Sequence, residues 1–429
     1  MEKLKINNND QISLLFKIIL FVCLFSSSFI FFKYPFEFYF HYIIFIFLIP
    51  LFLLKFGFPR LVFNILILPF FVGLINVLLG NYQLFDFIKV LGGLTATILF
   101  FYHFINYSNF KINILFNLYI KFCYFISLIG FIQLISFRIG FFWGYDYSWL
   151  FNKWGVIKGG IIGIRINSIL AEPSQLAIVI SPAIYVAIRN LIRKESFILN
   201  KYQSILILIV LIFTTSTVGY FGFLLSLILV IEGFKLRYLA IGFLISLFLY
   251  QITYNNIYEF KSRVDSAFGL WIDNDFSILN TNNSSFVLYN NLHIAKENLI
   301  ENPVFGTGIG SHEAAFNKHS LTGKVIQYDF AFNKKDGNSL FIRLCTETGL
   351  VGVVFIIIFI LKGFVYKPNN ETQIINLIIS QSIFVLIILS FIRQGNYMLN
   401  GLPFLFLLYY YNFQTYKEPE SNSLSIKND

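Results

Sequence analysis

The sequence predicts an all-α polytopic membrane protein of about twelve transmembrane helices, with one large, mainly helical outer loop domain. Three observations predict it. The chain is 57% hydrophobic and 20% aromatic but only 13% charged, whereas a soluble domain carries roughly a quarter charged residues. Its apolar residues come in long runs separated by short polar breaks. Runs such as "LVFNILILPFFVGLINVLLG" lack the alternation that barrel strands require. Only one long stretch, about 255–339, is hydrophilic throughout.

The expected spans, in order, are 12–32, 37–54, 61–79, 85–105, 113–136, 170–188, 203–217, 219–233, 237–254, 340–361, 373–392 and 401–415. The first run reads as a retained span, because "CLFSSSFIFF" offers no small-residue cleavage site. Nine spans therefore fall in 1–254, with an outer loop at 137–169. The large loop at 255–339 follows, then three spans in 340–415 and a polar tail at 416–429. The net charge of +10 reflects cations in short loops on one side rather than a nucleic-acid surface. Lys55, Arg60, Lys111, Arg189, Arg193, Lys194, Lys201, Lys235, Arg237, Lys362 and Lys367 share that side when both termini are cytoplasmic.

Cys23, Cys123 and Cys345 all lie in apolar runs and read as small core residues. CxxC, HExxH and Walker-type loops are absent, so neither a metal nor a cofactor is expected.

Two outer segments stand out. In 137–169, three Trp and two Tyr sit among Arg, Asp and Lys. They read either as an interfacial aromatic belt or as a surface for sugars or lipid headgroups. The segment 255–339 is longer than spanning requires and so has work outside the bilayer.

The sixth span opens with "RINSILAEPSQLA". Glu172 precedes Pro173, which biases it away from helix, and Pro173 suits a first helical turn. The span is expected to begin at Pro173, with Glu172 at its edge and Arg165 just outside. An earlier start would instead put Arg165 and Glu172 two turns apart on one face. Either way a cation and a carboxylate meet at the outer boundary, as a structural pair or as part of a site. Arg138, Arg263 and Arg393 are expected at the same level. Arg343 and Glu347 are spaced for an (i, i+4) ion pair. Several arginines on one face suit an anionic group, and their fork geometry suits phosphate oxygens. A lipid diphosphate would fit there.

In the large loop, "ENPVFGTGIGSHEAAF" alternates Gly306, Gly308 and Gly310. It is a tight turn, either merely flexible or exposing amides as an anion nest. His312 and His319 are candidate bases or bystanders.

Together these residues resemble the bacterial O-antigen ligase/polymerase superfamily, the Wzy-type polymerases and their ligase relatives. "RINSILAEPSQLA" is similar to the family's Arg-then-Glu-Pro-Ser entry to a span. "NPVFGTGIGSHE" is similar to its NP-x-x-G-x-G turn in the periplasmic loop. "NSLFIRLCTETGLVG" is similar to the following span, with its Gly349-x-x-Gly352 pair, and "LIFTTSTVGYFG" to the T-x-S-x-x-G break between middle spans. The motif order and span layout cover nearly the whole chain. Ligases carry a histidine eleven residues before the first glycine of that pair. Here the position is Asn338, so the resemblance implies a polymerase.

The implied activity is metal-independent glycosyl transfer at the bacterial inner membrane. A growing glycan passes from undecaprenyl diphosphate onto the non-reducing end of another lipid-linked unit of O-antigen, capsule or exopolysaccharide. Arg165, Arg263 and Arg393 would bind the diphosphate, and Glu172 would orient Arg165 or accept the proton. Partners would be the undecaprenyl-diphosphate-linked oligosaccharide, membrane lipid and a chain-length regulator protein. The alternatives are a ligase acting on lipid A or protein, and a flippase or transporter of lipid-linked sugars.

Overall fold

The computed structural model describes residues 13–231, 244, 247–248, 250–252, 254–256, 258–273, 282–324, 332–368, 370 and 373–417. Helix dominates them. In chain order they form α1 Leu14–Phe25, β1 Ile30–Phe32, β2 Phe38–Tyr39, α2 Phe40–Phe56, α3 Arg60–Leu78, α4 Leu84–Tyr107 and α5 Ile112–Arg138. Next come α6 Phe142–Tyr145, β3 Ile157–Lys158, β4 Ile164–Arg165, α7 Pro173–Val179, α8 Ser181–Arg193, α9 Lys201–Thr214 and α10 Thr217–Val230. The last are α11 Tyr258–Phe268, α12 Asn283–Glu301, α13 His312–His319, α14 Leu340–Gly363, α15 Ile374–Arg393 and α16 Leu402–Lys417.

Among the described residues, α3, α4, α5, α14 and α15 are long and apolar enough to cross a membrane, and α7 with α8 forms a sixth, bent candidate. These apolar helices mark a membrane protein. The remaining expected spans are shorter or lie elsewhere. Helices α1, α2, α9 and α10 have 12, 17, 14 and 14 residues, and α16 has 16. The expected span at 237–254 falls largely outside the described residues. So does the tail beyond Lys417.

Burial separates core helices from peripheral ones. Ten consecutive residues of α8, Ser181–Asn190, are buried, and the helix packs against α9, α10 and α15. By contrast α3 buries only Val62, Leu66, Gly73 and Asn76, and its Phe63, Phe70, Phe71 and Leu78 are exposed. An apolar helix with that profile is solvated by lipid rather than by protein.

Loops meet at two ends of the bundle. At one end Lys153 pairs with Glu37 at 2.5 Å, Tyr82 Oη donates to the Ile309 carbonyl at 2.9 Å, and β3 pairs antiparallel with β4. At the other end Asn190 Nδ2 donates to the Phe197 and Leu199 carbonyls, and Tyr416 Oη donates to that of Lys367.

The expected span at 170–188 is bent by 56° between α7 and α8. Pro182 is the cause: it has no N–H for the Ile178 carbonyl, which a helix would bond four residues on. The Ser181 hydroxyl takes that carbonyl at 2.7 Å. The Val179 carbonyl is met by Tyr119 Oη at 2.7 Å. Both carbonyls are thus met from within the protein.

A second break lies in α14, where Gly349 adopts φ 59° and ψ −159°. The freed backbone there bonds the turn at Pro303–Gly308. Thr307 N–H donates to Thr346 O (3.1 Å), Gly308 N–H to Glu347 O (2.9 Å), Leu350 N–H to Pro303 O (2.9 Å) and Val351 N–H to Val304 O (3.0 Å). A Cβ on Gly349 would come within 2.5 Å of the Gly306 nitrogen, and one on Gly306 within 2.5 Å of the Thr346 carbonyl. Both positions also have φ near +60°, so glycine is required twice over.

Beside this junction the expected Arg343–Glu347 pair forms. Arg343 Nε donates to Glu347 Oε1 at 2.8 Å, with side chains 4% and 0% exposed. Arg343 Nη1 also donates to the Gly395 carbonyl at 2.9 Å, and Tyr397 Oη donates to Glu347 Oε2 at 2.9 Å. The pair therefore pins the loop after α15 onto α14. Removing one partner strands a buried charge, so Glu347→Ala is expected to cost about 3–5 kcal/mol. Thermal unfolding in detergent measures it, and R343M/E347L together should melt higher than E347A. A single variant that melts like wild type would contradict this.

Candidate functional site

The site is built on the break between α9 and α10. Thr215 ends α9 in the left-handed conformation, and the Ser216 hydroxyl caps α10 by accepting from Gly219 N–H at 3.4 Å. This leaves the Thr214 and Thr215 carbonyls and the Thr215 and Thr217 hydroxyls facing outward from two helix ends.

Two arginines dock there. The hairpin of β3 and β4 carries Arg165, paired in register with Ile157, and its turn "KGGIIG" holds Gly159, Gly160 and Gly163 at positive φ. Arg165 Nε donates to Thr215 Oγ1 (2.9 Å) and Thr214 O (3.2 Å), and Nη2 donates to Thr215 O (3.2 Å). From α11, Arg263 Nη1 donates to Thr217 Oγ1 at 3.3 Å. The main-chain carbonyl of Arg263 accepts from Ser285 Oγ at 3.2 Å, which ties α11 to α12.

Arg393, the last residue of α15, completes the group. Among the described residues no hydrogen bond or ion pair neutralises it. It and Arg263 lie close enough to repel Arg165. Burial, then these two positive charges, pull the Arg165 pKa down to about 10, against the opposing influence of Glu172 and Tyr220. Positive charges drawn together around Arg165 raise its energy, and an anion beside it would lower it.

Glu172 stands where the Glu-Pro step put it. It is extended (φ −137°, ψ 148°), immediately before α7 with Pro173 in the first turn. The alternative of an earlier helix start does not occur, because Arg165 is in a strand. Glu172 is exposed and accepts from Ser174 Oγ at 3.1 Å. It influences Arg165 through space rather than holding it by an ion pair, so Thr214 and Thr215 do the orienting that the sequence reading gave to Glu172. Arg138 is exposed at the end of α5.

The loop candidates resolve differently. Gly306 and Gly308 do not form an anion nest. Their amides, with that of Thr307, donate to the carbonyls of Asn302, Glu347 and Thr346. His312 is buried, with Nδ1 3.2 Å from Thr346 Oγ1 and Nε2 3.1 Å from Asn291 Oδ1. Burial, then the charge of Arg343, pushes its pKa down to about 3. That is the setting of a packed structural histidine, not of a base facing substrate. His319 lies 3.4 Å from Glu301, which also pairs with Lys318. Asn338 is buried at φ 59°, its N–H donates to Asp336 Oδ1 at 3.2 Å, and its Nδ2 has no partner among the described residues. It packs beside Gly395, two residues after Arg393. Among the described residues no three His, Cys, Asp or Glu side chains gather as metal ligands would.

Because the folded state disfavours the His312 cation, its contribution to stability is complete above about pH 6.5 and is lost as pH falls toward about 3. The melting temperature should fall from about pH 7 to about pH 5, and His312→Gln should flatten that slope. An unchanged slope in the variant would show that other groups control acid stability.

Compared with protein-family models, curated proteins and solved structures, the chain matches none.

Proposed function

We propose that the protein is a polymerase of lipid-linked oligosaccharide repeat units, moving a growing glycan from undecaprenyl diphosphate onto the non-reducing end of another lipid-linked unit. The observation that carries this reading is the convergence of Arg165, Arg263 and Arg393. They come from three distant parts of the chain, and two of them dock on one helix break. A diphosphate leaving group gains negative charge as the glycosidic bond breaks, and fixed guanidinium groups stabilise it without reorganising. Arg165 spends its Nε on Thr214 and Thr215, which leaves Nη1 and the second hydrogen of Nη2 for phosphate oxygens.

This reading takes the chain as twelve spans with both termini cytoplasmic. The segments expected outside, including 137–169 and the described parts of 255–339, meet at the end that holds the arginines. The cation-rich segments 189–201 and 362–367 belong to the other end, the cytoplasmic one in this reading. In the reaction the candidate base is Glu172, exposed at the mouth of α7 and the carboxylate whose charge acts on Arg165. A base there would take the proton of the attacking hydroxyl as the anomeric bond to phosphate breaks.

The test is reconstitution of the full chain in vesicles with the lipid-linked repeat unit of its own bacterium. A ladder of products is expected. A single conjugate to lipid A or protein would instead mean a ligase, and unaltered substrate moved across the bilayer would mean a transporter. Arg165→Ala, Arg263→Ala and Arg393→Ala should each slow the ladder by about 10²-fold or more at normal membrane levels. Wild-type ladders from all three would sink the assignment. Thr215→Val removes one hydrogen bond to a charged group and should cost about tenfold in turnover, while Thr215→Ser should retain it. Equal behaviour of the two variants would remove Thr215 from the site.

A further inference from the structure

We propose that residues 139–150 form a foot that rests in the lipid headgroup layer, at the rim of the bilayer. The proposal rests on the membrane character of the helices and is independent of the polymerase reading.

The segment begins where α5 ends. On α5, Phe125, Ile132 and Ile135 are exposed and recur at seven and three residues, which keeps them on one face. Ile139 continues that stripe beyond the last turn. Phe141, Phe142, Trp143, Trp149 and Leu150 extend it further, with Trp143 59% and Trp149 58% exposed. The apolar surface is therefore continuous from a helix long enough to span into the segment that follows.

The segment is also anchored rather than loose. Phe141 N–H donates to the Ser136 carbonyl at 2.8 Å. Gln133 Nε2 donates to the Tyr145 carbonyl at 3.3 Å, and the Phe137 and Tyr145 rings meet edge to face at 5.3 Å. These contacts fold α6 back against the outermost turns of α5. Trp143 and Trp149 then meet edge to face at 5.9 Å on the free side.

Lipid suits this surface better than sugar does. A sugar platform needs hydrogen-bond groups around its ring; Ile139, Phe141, Phe142 and Leu150 supply none, and Asp146 Oδ1 accepts from Ser148 N–H at 2.9 Å. A headgroup boundary suits it on each count: apolar bodies reach the acyl chains, indole N–H groups stay at the polar layer, and exposed Arg138 meets lipid phosphate.

Tryptophan fluorescence tests this in the full chain reconstituted in vesicles of phosphatidylethanolamine and phosphatidylglycerol. The four tryptophans are 143, 149, 154 and 271. Trp154 is buried and donates to the Ser168 carbonyl, so W143F/W149F/W271F provides the baseline. In W271F, lipids brominated near the headgroup should quench emission more than lipids brominated deep in the acyl chain. W143F/W149F/W271F should lose that quenching. Two results would overturn the proposal. One is emission that ignores brominated lipid and is quenched freely by aqueous acrylamide. The other is protection from acrylamide only when a lipid-linked glycan is added, which would mark a sugar surface instead. Circular dichroism and the single variants W143F and W149F check that the baseline protein is folded.

Discussion

Four main-chain hydrogen bonds between the Pro303–Gly308 turn and the Gly349 kink hold the two halves of the site end together. They work because a break in a helix frees amides and carbonyls, and around buried Gly306, Gly308 and Gly349 these need protein partners. Each such group must find a protein partner or cost several kcal/mol. The kink therefore recruits the turn, and the turn fixes where α12 and α13 lie relative to α14 and the loop after α15. The Arg343–Glu347 pair then closes the junction on its other side.

The same rule organises the other two breaks. At α7–α8, Tyr119 and Ser181 supply the missing donors. At α9–α10, the donors are guanidinium groups, and they arrive with a charge. A break satisfied by Tyr119 is inert. One satisfied by Arg165, with Arg263 on the neighbouring Thr217 hydroxyl, concentrates positive charge, and Arg393 adds to it. Structural necessity and the gathering of positive charge come from one arrangement.

Much of this was legible in the sequence. The apolar runs predicted helices, Pro173 predicted the start of α7, the (i, i+4) spacing predicted the Arg343–Glu347 pair, and the level of Arg165, Arg263 and Arg393 anticipated their approach. What was not legible depended on long-range partners. The bend at Pro182 had a local signal in "SP", but a proline in a long apolar run is also compatible with a continuous span. The turn at Gly306 and Gly308 stayed open as a flexible turn or an anion nest because nothing local revealed that the Thr307 and Gly308 amides bond α14. His312 stayed open as base or bystander because the partners that hold it, Asn291 and Thr346, are 21 and 34 residues away. Thr215 and Thr217 were part of a quoted pattern, yet their role appears only once Arg165 and Arg263 are seen to reach them.

The junction at Gly349 also bears on how the chain assembles. Leu350 and Val351 point N–H groups out of the kinked helix, and their acceptors, Pro303 and Val304, precede them by 47 residues. Until that earlier segment is in place, the kinked form of α14 leaves two amides unsatisfied in an apolar setting, while a straight helix satisfies them internally. The kink is thus not a property that α14 carries into the bundle. It is acquired on docking, so the loop must already have reached the same end of the bundle when the helix takes its final shape. Assembly order is written into the fold at that point.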